Sequence, residues 1–267
     1  LSFHTHDRRE GSGPPVILIH GLGASLEQWD PLLDHLALSG YRALALDLLG
    51  HGDSGQPEGR NHYHIEAIYR HLIDWIDGLG LDEPPILIGH SLGGYLSLVA
   101  AIRRSEKLRG IVLINPYYRP NQLSFTAKIS LINSDISTGI FKRTPAWTIS
   151  QAMRLSELNG QSYPKEIRDQ MALDFKRTSP DVVSIPESIV DLGPRVFQIT
   201  VPTTLIWGNR DLTLNPASFP ELADLLTSPT EIQVPDGGHM PHLARPRFFN
   251  QVLSRELAKM VQSIQTA

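Results

Sequence analysis

Apolar residues in this chain gather in short, nearly unbroken runs: Pro15 to His20, Tyr41 to Asp47, Pro85 to Gly89, Gly110 to Asn115, Thr203 to Gly208 and Thr230 to Val234. Gly or Pro stands near the borders of each. Such runs suit central strands of a parallel sheet, whose two faces are both covered by helices. Between them lie stretches with helical spacing. From Ile65 to Leu79 the apolar positions Ile65, Ile68, Leu72, Trp75, Ile76 and Leu79 follow the three-and-four rhythm of one buried helix face. Strands alternating with such helices predict right-handed crossovers and an α/β fold with a mostly parallel central sheet. Leu1 to Glu10 can supply one more strand, paired to the next through a turn at Gly11-Ser12-Gly13. Pro246 to Met260 reads as a closing amphipathic helix.

The alternation fails between Pro116 and Pro194. Gly is scarce there, and Tyr117, Tyr118, Phe125, Phe141, Trp147, Tyr163 and Phe175 are scattered among polar residues. Ile149 to Leu158 has helical spacing. The expected organisation is a core formed by residues 1–115 and 195–267, with residues 116–194 as a mostly helical cap inserted between two strands.

Composition narrows the function classes. With 24 Lys+Arg against 28 Asp+Glu the net charge is −4, which leaves no basic excess for nucleic acid. The absence of cysteine removes disulfides, thiolate nucleophiles and Cys-ligated metals together. At 41 % hydrophobic and 19 % charged, with no apolar run near the ~18–20 residues of a membrane span, a soluble globular protein is expected. Leu1-Ser2-Phe3-His4 carries no basic-then-apolar signal segment, so a cytoplasmic location is the expectation. No dinucleotide or Walker A glycine loop appears, and no organic cofactor or metal is expected. His4/His6 and His62/His64 are spaced as chelating pairs but lack a third ligand at recognisable spacing.

One segment carries chemistry on its own. Gly89-His90-Ser91-Leu92-Gly93-Gly94 lies between the strand Ile86-Leu87-Ile88 and the helix-prone run that begins at Tyr95. This is G-x-S-x-G in strand–turn–helix context, the setting of a nucleophile elbow. A serine in so tight a turn exposes its Oγ, while side chains two residues either side would collide with the adjoining strand and helix. Gly89 and Gly93 remove those side chains, and the following helix aims backbone N–H groups at the site.

With that segment the chain resembles the α/β-hydrolase superfamily over nearly all its length outside the insertion. His20-Gly21-Leu22-Gly23 is similar to the oxyanion loop, and Asp47-Leu48-Leu49-Gly50-His51-Gly52-Asp53-Ser54 to the D-x-x-G-H-G-x-S loop. Trp207-Gly208-Asn209-Arg210-Asp211 resembles the acid loop, and Gly237-Gly238-His239 the histidine loop. The resemblance implies Ser91 as nucleophile, His239 as base and Asp211 as the acid that fixes the imidazole tautomer. It also implies the backbone N–H groups of Leu22 and Leu92 as the oxyanion hole. His242 is the rival base and Asp236 a rival acid. Asn115 occupies the position where some relatives carry the acid, and offers no charge.

The superfamily's dehalogenases and epoxide hydrolases place an aspartate at the elbow, so Ser91 argues against both. The expected activity is cleavage of a small carboxylester, or related acyl compound, with an apolar acyl group through an acyl-enzyme. The alternatives are carbon–carbon hydrolysis of meta-cleavage type, lactonase or perhydrolase activity, and, more remotely, a non-catalytic ligand-binding relative. The expected partner is a small-molecule substrate. Arg210 and Arg119 are the candidate anion holders that carbon–carbon cleavage would require.

Overall fold

In the computed structural model, residues 3–124, 144–154 and 163–262 are described. The chain enters through β1 (Asp7–Glu10) and β2 (Pro15–Ile19), then α1 (Asp30–Leu38), β3 (Arg42–Leu46) and α2 (Ile65–Gly78). Next come β4 (Ile86–His90), α3 (Leu92–Arg103) and β5 (Gly110–Ile114). After β5 the described residues contain helices α4 (Ala146–Arg154) and α5 (Lys165–Arg177), then 3-10 turns, and no strand before β6 (Thr203–Gly208). Finally α6 (Ser218–Leu225), β7 (Thr230–Val234), the single turn α7 (Pro241–Ala244) and α8 (Pro246–Gln262) close the fold. The sheet has seven strands in the order β1-β3-β2-β4-β5-β6-β7, all parallel except β1.

Each apolar run forms a strand, as its lack of alternation predicts. Alternate residues feed two cores. Ile17, Ile19, Leu87, Ile111, Leu113, Leu205 and Trp207 face α2, α3 and the chain after Pro180. Val16, Leu18, Ile86, Ile88, Val112, Ile114 and Ile206 face α1 and α8. Each fully buried aliphatic side chain contributes roughly 1.5–3 kcal/mol relative to exposure, so both layers are needed to hold the sheet.

The first strand departs from expectation. It does not form a hairpin with β2 but runs antiparallel to β3, Asp7 opposite Leu46. Both edges of β2 are already occupied by β3 and β4. The turn at Gly11 (φ 74°) and Gly13 (φ 112°) therefore carries the chain past Tyr41 to the far side of β3.

Of the cap readings, Phe125, Phe141, Leu155 and Leu158 lie outside the described residues. Trp147 is 69 % exposed on α4. Tyr117, Tyr118, Val182, Ile185 and Leu192 are buried in the main core, so both ends of the 116–194 segment are continuous with it. No helix among the described residues is long and apolar enough to cross a membrane.

The tightest junction is where α3 leaves β4. A Cβ at Gly93 would fall on the Ile19 carbonyl oxygen, whereas one at Gly78, the last residue of α2, would meet nothing within 4 Å. Gly93→Ala is therefore expected to lower the unfolding free energy by about 1–3 kcal/mol and Gly78→Ala to raise it by about 0.5 kcal/mol. Urea titration measures both, and equal effects would contradict this account of the junction.

Candidate functional site

The C-terminal ends of β2, β4, β5, β6 and β7 converge, and each delivers one component. Ser91 follows β4 directly. Its backbone is left-handed (φ 51°, ψ −110°), a conformation that costs a non-glycine residue about 1–3 kcal/mol. Neighbouring backbone holds it there. Ser91 N–H donates to the Ile114 carbonyl at 3.0 Å, and the Ser91 carbonyl accepts from Tyr95 N–H at 3.1 Å and Tyr117 N–H at 3.0 Å. The flanking glycines are needed as the motif implies: a Cβ on Gly89 would meet the Gly93 carbonyl and Ser97 Oγ.

Asp211 follows β6, and His239 the turn after β7. His239 Nδ1–H donates to Asp211 Oδ2 at 2.8 Å, leaving Nε2 for proton transfer. The other carboxylate oxygen, Oδ1, accepts from the backbone N–H groups of Thr213 (2.7 Å) and Leu214 (3.0 Å). Burial pushes the Asp211 carboxyl up, but His239 and these hydrogen bonds outweigh it, and the net shift is downward. The acid is thus held ionised in a buried place.

Asn115, at the end of β5, organises that place. Its backbone is also left-handed (φ 40°), its Nδ2 donates to Asp211 Oδ2 at 2.7 Å and to the Gly238 carbonyl at 3.3 Å, and its Oδ1 accepts from Gly208 N–H at 3.2 Å. One amide thereby ties the acid strand to the histidine turn. Sequence reasoning discarded Asn115 because it has no charge; its role as a brace depends on contacts with residues more than ninety positions away.

The oxyanion loop is built from below. His20 Nδ1–H donates to the Gly21 carbonyl at 2.7 Å and its Nε2 accepts from Leu48 N–H at 3.0 Å. Asp47 Oδ1 accepts from Leu26 N–H at 2.8 Å, while its Oδ2 takes His6 Nδ1–H at 2.8 Å and Asp53 N–H at 3.0 Å. The loop glycines serve different ends. Gly23 adopts φ 74°, whereas Gly21 is needed for close approach, since a Cβ there would come within 3.2 Å of Ser91 Cβ. Among the described residues, neither Leu22 N–H nor Leu92 N–H has an acceptor.

Ser91, His239, Gly21, Leu22 and Gly23 line one cavity of about 160 Å³, roofed by Met171 and Phe175 of α5 and by Met240. Ser91 and His239 share it without a hydrogen bond between them, a looseness common in unliganded sites.

The rivals fall elsewhere. His242 stacks on Trp29 (centroids 4.8 Å, 27° between planes), fully enclosed and with neither ring nitrogen hydrogen-bonded. Asp236 pairs with Arg210 at 2.7 Å near the surface, and Arg119 pairs with Glu221. Neither arginine lines the cavity. His90 donates from Nε2 to the His239 carbonyl at 2.9 Å and so fixes the backbone of the candidate base. His64 Nδ1 accepts from Glu66 N–H at the start of α2, and no metal-binding group of three or more ligands occurs among the described residues.

The chain belongs to the alpha/beta hydrolase family, whose sequence model matches residues 16–252. Among its relatives, the protein named "Putative carbamate hydrolase RutD" of Stutzerimonas stutzeri is 27 % identical over 280 residues, spanning 100 % of both chains. Epoxide hydrolase 3 of Xenopus tropicalis is 24 % identical over 275 residues, 95 % of this chain and 74 % of that one. The structure of a thermophilic esterase from Thermogutta terrifontis, with malate bound, matches with a TM-score of 0.81 at 23 % identity, covering 97 % of this chain and 94 % of that one. The protein is an enzyme of the α/β-hydrolase class.

The buried histidines make the fold acid-sensitive. Burial, more than any other influence, lowers His20 from 6.5 to about 4, and His51 and His242 from 6.5 to about 3. The unfolded chain takes up these protons near pH 6.5 while the fold resists them, so the stabilisation is complete above pH 6.5 and lost as pH falls toward 3–4. Each ring contributes on the order of a few kcal/mol. The melting temperature is expected to fall steeply below pH 6.5, and less steeply in His242→Phe, which keeps the stack on Trp29. Identical slopes in the two proteins would contradict this assignment.

Proposed function

We propose that the protein is a serine hydrolase that cleaves a small carboxylester, or a related acyl compound such as a carbamate, through an acyl-enzyme at Ser91. The observation that carries the reading is the Asp211–His239 hydrogen bond at 2.8 Å, with His239 and Ser91 opening onto one cavity. His239 Nε2 takes the Ser91 hydroxyl proton as Oγ attacks the acyl carbon. The resulting oxyanion is stabilised by Leu22 and Leu92 N–H, which have no acceptor among the described residues. Collapse breaks the bond to the alcohol, which leaves with the proton from His239. Water then repeats the sequence, its proton passing to His239 and on to Ser91 Oγ as the acid departs.

The cavity favours a small substrate. At about 160 Å³ it is well below the ~300–1,000 Å³ typical of drug-sized ligands. Leu22, Met171, Phe175 and Met240 supply apolar contact for an acyl chain. In this reading residues 116–194 act as the cap, with α5 contributing the roof. Carbon–carbon cleavage gains no support from Arg210 or Arg119, both engaged in ion pairs outside the cavity.

Short-chain p-nitrophenyl esters test the reading. Hydrolysis is expected in the wild type, near-complete loss in His239→Ala, and a kcat decrease of roughly 10⁴-fold in Asp211→Asn if the acid acts as measured in a serine protease. Activity in His242→Ala should stay far above that in His239→Ala. Comparable losses in the two histidine variants would overturn the assignment of the base.

A further inference from the structure

The cavity under α5 has a definite capacity. Its volume is about 160 Å³, close to the roughly 150 Å³ of an apolar cavity that holds one benzene. About six non-hydrogen atoms therefore fit, as many as a straight five-carbon acyl group contains with its carbonyl oxygen counted.

Phe175 closes that space. Its ring lines the cavity and is 38 % exposed, so it stands between the cavity and solvent. A Cβ on Gly23 would meet Phe175 Cδ2 at 3.1 Å, which places the ring against the backbone of the Gly21–Gly23 loop. The helix end that carries the ring is fastened to the core. Arg177 donates from Nη2 to Glu27 Oε1 (2.7 Å) and to Asp174 Oδ1 (3.1 Å), and its carbonyl accepts from Gln56 Nε2 (2.8 Å). Just beyond, Ser179 N–H donates to the Gly50 carbonyl at 2.8 Å. Met171 lines the cavity one helical turn earlier, but an unbranched thioether bends away from a ligand. A flat ring backed by Gly23 and carried on a tethered turn does not.

We propose that Phe175 determines acyl-length specificity: its ring is a fixed end wall that admits straight acyl groups of up to about five carbons and turns longer ones away. The inference rests on the hydrolase reading above and names the residue that limits its substrate. The acyl group is the part placed under the roof because it stays bound through both steps, whereas the alcohol must leave and water must enter. A phenyl ring is itself benzene-sized, so truncating Phe175 opens about as much space again, and opens it toward solvent.

The p-nitrophenyl esters of acetate, butanoate and octanoate, kept below their aggregation concentrations, test this with the leaving group held constant. In the wild type kcat/KM is expected to rise about fourfold per methylene from acetate to butanoate, the equivalent of burying one CH₂ at a time. It should then fall at least tenfold from butanoate to octanoate. In Phe175→Ala the octanoate-to-butanoate ratio should rise tenfold or more. Phe175→Leu, a milder change for the fold, should move it the same way by a smaller factor. Leu173→Ala, at an exposed residue outside the cavity lining, should leave the ratio in place. A series of alkyl acetates, ethyl to octyl, should respond less than threefold to either Phe175 change. Calorimetric titration of methyl butanoate and methyl octanoate into Ser91→Ala protein, with and without Phe175→Ala, reads the preference without turnover. Octanoate turned over as well as butanoate by the wild type, a ratio unmoved in both Phe175 variants, an equal shift in Leu173→Ala, or a response confined to the alkyl acetates overturns the inference. Length-selective binding that depends on Phe175, without hydrolysis of any ester, would overturn the hydrolase reading and leave the role of Phe175 standing.

Discussion

Everything at the site depends on how closely the start of α3 approaches the ends of β2 and β4. At Gly93 the helix backbone lies where any side chain would strike the Ile19 carbonyl, and at Gly89 the strand backbone lies equally close to Gly93 and Ser97. At that approach Ser91, the residue before α3, takes its left-handed conformation and lines the cavity. The local cost is about 1–3 kcal/mol, offset by the hydrogen bonds that Ser91 backbone makes to Ile114, Tyr95 and Tyr117. A looser junction would let Ser91 relax.

Around that junction the polar groups fall into two layers with different tasks. Below the Gly21–Gly23 loop, His20 and Asp47 bind main-chain atoms of that loop, of Leu26 and of the segment from Leu48 to Asp53. Behind His239, Asn115 and His90 fix the acid and the histidine backbone from two sides. His90 is held far below the usual imidazole range, by burial first and by its histidine neighbours next, so it stays neutral and donates one hydrogen bond. Neutral donors near the candidate base add no charge that would oppose imidazolium formation.

The sheet was legible because its central strands, β2 to β6, are buried on both faces, so each appears as a run that needs no partner to recognise. Ser91 was legible for a related reason, since the steric demands of the elbow fall on adjacent residues. The β1 pairing was not, because a four-residue edge strand carries no sign of which neighbour has a free edge. The bracing role of Asn115 is not legible in the sequence, because it acts through Asp211 and Gly238, brought near only by the sheet order. Asp174, on a helix with no resemblance to any motif, reaches the cavity only through the placement of α5.

If Ser91 Oγ is the acyl acceptor, labelling by an organophosphonate ester tests it most directly. The reagent should form a single adduct, mapped by peptide mass spectrometry to Ser91, and the adduct should vanish in Ser91→Ala. An adduct on another residue, or undiminished labelling of Ser91→Ala, would contradict the account.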